Sequence, residues 1–174
     1  MEFRKFTAES LEATSKQWLK LANKVNAFSP DVEQLLEWVK EHIDIKENAI
    51  AYGVFPEGSD IAIGVCELII TRKSAKTGWV KFIRLRLDPQ VDANIFANNS
   101  EGVVAAIEAY VACVAGVLAV KDLHKADTIK VFGRTQEQMQ FLTLLSAALQ
   151  KRDEAKFTTK IEGRWLVLKW SNEK

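Results

Sequence analysis

Apolar and polar positions along the chain change period several times, and each change marks an element. After Thr7 the apolar residues recur at helical spacing, with Leu11, Trp18 and Val25 joined by Leu21 and Ala22 in one stripe. Thr7 stands where an N-cap belongs, Glu9 and Glu12 fall in the first turns, and Lys16, Lys20 and Lys24 come late, as the helix macrodipole favours. Ser29–Pro30–Asp31 is a second start, combining a cap, a proline at the first helical position and an acid. Val32, Leu35, Leu36, Val39 and Ile43 then keep the helical period. Ahead of both helices, Met1–Phe6 has the pattern of a short strand.

The period then drops towards two. Ala49–Phe55, Ile61–Thr71 and Trp79–Leu87 are three strand candidates, joined by connections short enough for antiparallel hairpins. In the third, Val80 and Phe82 take one face, while Ile83, Leu85 and Leu87 take the other. This phase break predicts either a bulge or a strand covered on both faces. The strand runs into Asp88–Pro89, a polar loop follows, and a long apolar helix is expected from a cap at Ser100 to about His124. Thr128–Phe132 is a further strand. Thr135-x-x-Gln138 is a capping box opening a helix with Met139, Phe141, Leu142, Leu145 and Leu149. Phe157–Ile161 and Trp165–Trp170 close the chain as a hairpin around Glu162–Gly163. The order β-α-α-β-β-β-α-β-α-β-β predicts one α/β domain over residues 1–174, with a mixed, mostly antiparallel twisted sheet and helices on both faces.

Composition changes this picture little. The chain has 174 residues and a formal net charge of +1. That size buries a core unaided, and the near-neutral balance makes no case for a nucleic-acid or membrane surface. Cys66 and Cys113 lie in apolar runs and read as buried free thiols of a reducing compartment. With no signal-peptide pattern at the start, the expected location is cytoplasmic. Val103–Val120 is long and apolar enough to resemble a membrane span, but Glu108 interrupts it, and a helix buried in an α/β domain fits better.

Candidate chemistry is sparse. Glu67 interrupts the apolar run Ile61–Ile70, where partial desolvation would raise its basicity towards that of a general base. The plainer reading pairs it with Arg84 or Arg86 on the next strand. Those two arginines share a strand face and would suit bidentate capture of an acidic group. Tyr52 is a candidate acid in the sheet, although packing is its ordinary role, and Tyr110 reads as core or rim. Arg134, at a strand end before a capped helix, is placed to reach a phosphate. His42 and His124 fall at helix C-termini, and no Cys/His spacing forms a metal site. The tryptophans Trp18, Trp38, Trp165 and Trp170 read as core.

Two local stretches and the element order resemble the GNAT N-acetyltransferase family over almost the whole chain. Ile61-Ala-Ile-Gly64 is similar to the family's third strand with its glycine, and Leu85-x-Leu87-x-Pro89 to the end of its fourth. The resemblance implies an acetyl-CoA or other acyl-CoA cofactor whose pantetheine arm pairs with backbone groups at Leu85, Arg86 and Leu87. It implies a pyrophosphate loop at the next helix N-terminus, of pattern [QR]-x-x-G-x-[GA]. Here Asp92 and Ile95 stand at the Arg/Gln and first Gly positions, and Ala97 alone matches. A rearranged cradle would draw on Asn98, Asn99 and the N–H groups near Gly102. The family's leaving-group tyrosine falls at Phe141 or Leu142. The activity implied is direct attack of a small-molecule or protein amine on the thioester, with Glu67 taking its proton. The alternative is a catalytically inactive GNAT-fold protein serving as a binding or protein-interaction module. Neither nucleic acid nor membrane is expected as partner. The Trp, Leu and Val content of the terminal hairpin would suit a homodimer, or equally the completion of the chain's own sheet.

Overall fold

The computed structural model describes residues 1–25, 29–72, 78–97, 99–150 and 157–171. The elements are β1 (Glu2–Lys5), α1 (Ala8–Lys24), α2 (Ser29–Glu41), β2 (Ala49–Phe55), β3 (Gly64–Arg72), β4 (Gly78–Leu87), α3 (Pro89–Phe96), α4 (Ser100–Ala119), β5 (Thr128–Phe132), α5 (Gln136–Gln150), β6 (Phe157–Glu162) and β7 (Trp165–Trp170). The strands form one mixed, mostly antiparallel seven-stranded sheet in the order β1-β2-β3-β4-β5-β7-β6. This is the α/β architecture expected from the pattern.

Five expectations need correction. The polar loop after Asp88 is helix α3, because Asp88 caps it: the carboxylate accepts from the backbone N–H of Gln90 at 2.8 Å and of Val91 at 2.9 Å, and Pro89 sits at the first helical position. Asn99, not Ser100, performs the cap of α4, its Oδ1 accepting from Glu101 N at 2.9 Å and its carbonyl from Val103 N at 3.1 Å. Helix α4 stops at Ala119, and turns carry the chain past His124. Nor is α4 the buried helix expected, since Val103, Val104, Ile107 and Val111 are exposed on it. β3 starts at Gly64 rather than Ile61, because α1 claims the preceding backbone. Trp18 Nε1 donates to the Ala62 carbonyl at 2.7 Å, and Thr14 Oγ1 accepts from Ala62 N at 3.0 Å. These two side chains lie four apart on one helix face, so together they hold both polar groups of one buried residue.

The chain divides into two compact units interleaved in sequence. Unit 1 comprises residues 1–67 and 85–116, and unit 2 comprises 68–84 and 117–174. In unit 1, β1 pairs antiparallel with β2 from Glu2↔Phe55 to Lys5↔Tyr52. Phe6, Leu11, Trp18, Leu36, Val39, Phe55 and Val65 form its core under α1 and α2. Each large side chain so buried contributes ~1.5–3 kcal/mol before entropy is counted. Thr7 begins α1 as expected, in a reciprocal box with Ser10. Gly116 lets α4 come down onto the Phe3 ring, a space that any Cβ would fill.

In unit 2, β4 runs parallel to β5 from Trp79↔Thr128 to Phe82↔Val131, and β7 pairs antiparallel with both β5 and β6. Burial alternates strictly along β4 up to Phe82 and then stops alternating, at the phase break visible in the sequence. The predicted capping box is present: Thr135 Oγ1 accepts from Gln138 N at 3.2 Å, and Gln138 Oε1 accepts from Thr135 N at 3.3 Å and Arg134 N at 2.7 Å. Helix α5 docks through buried Leu142 and a 3.0 Å hydrogen bond between Ser146 and Thr159. Gly163 takes a φ of 58° in the two-residue turn joining β6 to β7.

The units differ in charge. Unit 2 holds 16 of the 24 Lys and Arg and 7 of the 23 Asp and Glu, giving +9; unit 1 holds the other 8 and 16, giving −8. The net +1 is therefore the sum of two large opposite values.

Candidate functional site

Unit 1 contains a cavity of about 310 Å³. Helix α1 supplies Trp18, with Val25 just beyond its end, and α2 supplies Asp31, Val32 and Leu35. The end of β4 supplies Arg86 and Leu87, and α3 supplies Pro89, Asp92, Ala93 and Phe96. Apolar walls with two carboxylates and one guanidinium match the usual make-up of a small-ligand site.

Its electrostatics centre on α3. Burial pushes the Asp88 carboxyl up, and the two N–H groups it caps pull it back. Asp92, one turn later, is pushed up to about 6 by crowding first and by Asp88 next, against the opposing pull of Arg86. By surface area Asp92 counts as exposed, so it sits at the mouth, crowded on its inner side and wetted on its outer one. A carboxyl with that affinity can hold or accept a proton near neutral pH.

Helix α3 also decides what the N-terminus of α4 can do. A Cβ at Gly102 would lie 3.0 Å from the Asn94 backbone carbon and 3.2 Å from Ile95 N. That glycine therefore serves close packing of α3 on α4. Ala97 is the C-cap of α3, with its N–H bonded to Ala93 O, and Asn99 is spent on capping α4. Asn98 lies outside the described residues.

The comparisons with known proteins add little. No family model matches the chain, and no curated protein does. A solved structure described as a probable acetyltransferase matches with 11% identity over 93% of this chain and 97% of its own, at a TM-score of 0.45. One described as a candidate phosphinothricin N-acetyltransferase gives 14% identity, 95% and 93% coverage and a TM-score of 0.42. A chain of the KacTA–DNA complex gives 17% identity, 78% and 77% coverage and a TM-score of 0.39. Likenesses this remote carry no argument about what this chain does.

The remaining candidates are dispersed. Glu67 is half-buried on β3, on the opposite face to Cys66 and the same face as Val65, and it does not line the cavity. Tyr52 is 2% exposed and stacks on Phe3 with centroids 4.8 Å apart and planes at 3°. Burial, then Cys66, raises its phenol above the ordinary value. Burial pushes the Cys66 thiol well up, reinforced by its hydrogen bond to Cys113, which keeps Cys66 from acting as a thiolate. Burial likewise raises Tyr110. Of the two paired arginines, Arg86 is in the cavity, and Arg84 belongs to unit 2 and is half-buried. Arg134, also in unit 2, is exposed, and its carbonyl accepts from the Arg164 guanidinium. His42 is tied down at the end of α2, with Nδ1 2.7 Å from the Trp38 carbonyl. Among the described residues there is no cluster of metal-ligating side chains.

The sequence reading missed Asp31, Trp18 and the role of Asp92. The signal was available. Asp88–Pro89 has the same cap-plus-proline form as Ser29–Pro30, and an Asp88-capped helix puts Asp92 on the same face as its cap, one turn on.

Proposed function

We propose that this chain is an atypical N-acyltransferase of the GNAT type, moving an acyl group from a pantetheine thioester onto an amine held in the unit 1 cavity. One observation carries this reading. β4 pairs with β5 only from Trp79 to Phe82, yet continues to Leu87, and its last two residues line the cavity. Past Phe82 the strand offers the backbone groups of Leu85 and Leu87 to an extended arm, while those of Arg86 turn towards β3, as does the Asp88 N–H bonded to the Ile63 carbonyl.

The thioester supplies an activated acyl carbon on sulfur. The amine nitrogen forms the new C–N bond, the C–S bond breaks, and the thiolate leaves with a proton. Asp31 and Asp92 attract a cationic amine; Asp92 accepts the proton whose loss frees the nitrogen lone pair and passes it to solvent, and the second proton, lost from nitrogen as the amide forms, leaves with the thiolate. Glu67 is the second candidate base. The arm fits the strand edge, but the residues present do not fit its diphosphate, because α3 covers the N-terminus of α4 at Gly102. The donor is therefore recognised by its pantetheine portion.

Thermal unfolding with acetyl-CoA and with acetyl-pantetheine tests this. Both should stabilise the chain alike, by ~2.7 kcal/mol at a hundredfold excess over Kd. Asp92→Asn should lower turnover and preserve that shift, whereas Glu67→Gln should leave turnover nearly intact. No shift with either donor removes the transferase reading. It would leave a non-catalytic binding module, which the covered α4 N-terminus and the absence of a phenol at Phe141 and Leu142 favour.

A further inference from the structure

The sheet of unit 2 has two unlike faces. Strand registers place Trp79, Thr128, Lys169 and Thr158 in one row across β4, β5, β7 and β6. The next row on the same face is Lys81, Lys130, Val167 and Lys160. Beyond it, Phe132 stands beside Trp165, with ring centroids 4.8 Å apart. Helix α5 lies on the other face, since its Ser146 bonds Thr159, which pairs with buried Leu168. The turn after α4 lies there too, with Lys121 over the ring of Trp170.

The face opposite α5 stays partly open. Lys160 and Lys130 keep side-chain exposures of 64% and 27%, and the three aromatic residues are half-exposed. The charges and rings are already interleaved. Lys81 Nζ stands 4.9 Å and Lys130 Nζ 5.7 Å from the centre of the Trp79 ring. Glu162 alone, among the described residues, opposes the lysines of this face, 3.7 Å from Lys130 and 2.5 Å from Lys160. Such exposed ion pairs are weak and readily replaced by phosphate.

We propose that this face, with Trp79, Phe132 and Trp165 set among Lys81, Lys130 and Lys160, binds single-stranded nucleic acid. The proposal is independent of the acyl-transfer reading. Phosphates match the +9 charge of the unit, and unstacked bases match the half-exposed rings. A duplex hides its base faces, and an acidic peptide brings charge without rings.

The test uses the whole chain and fluorescence anisotropy with labelled oligouridylate and oligodeoxythymidylate. Comparing the two separates RNA from DNA preference. Both single strands should bind more tightly than a duplex of equal length, and binding should quench tryptophan emission. Log K should fall with log salt at a slope of roughly −2 to −3, for three or four phosphates at about −0.7 each. Lys160→Glu with Lys169→Glu, both at exposed positions, should weaken binding at least tenfold and flatten that slope. Trp79→Leu should remove most of the quenching. Equal or tighter binding of polyglutamate or of phosphatidylserine vesicles would overturn the proposal. So would unchanged affinity in the double lysine variant. Salt-sensitive self-association in place of oligonucleotide binding would overturn it too, by assigning the face to the −8 unit of a second copy.

Discussion

Unit 1 and unit 2 are each built from strands covered by helices, but they expose opposite chemistry. Unit 1 is acidic, and one of its open features is a walled cavity whose polar groups are Asp31, Arg86 and Asp92. Unit 2 is basic, and its open feature is a broad sheet face of lysines and aromatic rings. A concave site suits a small cation or amine, and an open basic face suits an extended polyanion. A near-zero total charge therefore says little about partners when charge is sorted by unit.

The largest expected effects test whether the units are separate in stability as well as in charge. Trp18→Ala removes a fully buried indole and its bond to Ala62, at a cost of ~3–5 kcal/mol. Leu142→Ala empties the seat of α5, at ~2–5 kcal/mol. Denaturant unfolding gives the totals, and native-state hydrogen exchange locates them. Trp18→Ala should loosen α1 and α2 while β5 and β7 stay protected, and Leu142→Ala should do the reverse. If each variant loosens all amides equally, the division has no energetic meaning.

Gly102→Ala should come next, at ~1–3 kcal/mol, because its neighbours at 3.0 and 3.2 Å are backbone atoms that cannot rotate away. Exchange in α3 should quicken most. An unchanged melting temperature would refute the close packing of α3 on α4. In unit 2, Thr135→Ala should cost about 1 kcal/mol by removing the cap of α5, visible as fraying of its first turn.

The smallest effect is in pH. Asp92 has a folded pKa of about 6 against 3.8 when unfolded, and Asp88 shifts the same way. Between those values the folded chain binds more protons, so stability falls as pH rises from about 4 to about 6. Solvent at the cavity mouth keeps the Asp92 share under about 1 kcal/mol. Circular dichroism melts should show Asp92→Asn more stable than wild type at pH 7 and nearly equal to it at pH 4. Parallel curves for the two proteins would show that Asp92 is fully solvated.

The regular elements were legible because each rests on a local signal. Thr7, Thr135 and the apolar stripes act within a few residues of themselves, and the phase break at Phe82 is a property of one strand. Helix α3 was legible in principle through Asp88–Pro89, but the family-like end of β4 drew the same residues into a loop. The use of Gly102 was not legible, since a glycine for close packing and a glycine for phosphate approach look alike until the facing segment is known. The cavity was hidden for the same reason: Asp31 and Asp92 are 61 positions apart and meet only through α1 and β4. The sorting of charge was hidden by interleaving, because the strongly basic stretch 68–84 lies between two pieces of the acidic unit.

That interleaving has a consequence for a chain emerging from a ribosome. All of unit 1 has been made once Gly116 is out, whereas unit 2 waits for Trp170. At about 5–20 residues per second the interval is roughly 3 to 11 s. Throughout it, the stretch of β4 from Trp79 to Phe82 is a strand edge whose parallel partner does not yet exist. Lys81 in that stretch and Arg84 just after it are charges of the kind that keep a waiting edge from pairing with another chain. Charge on that stretch therefore matters to the growing chain before the sheet of unit 2 exists.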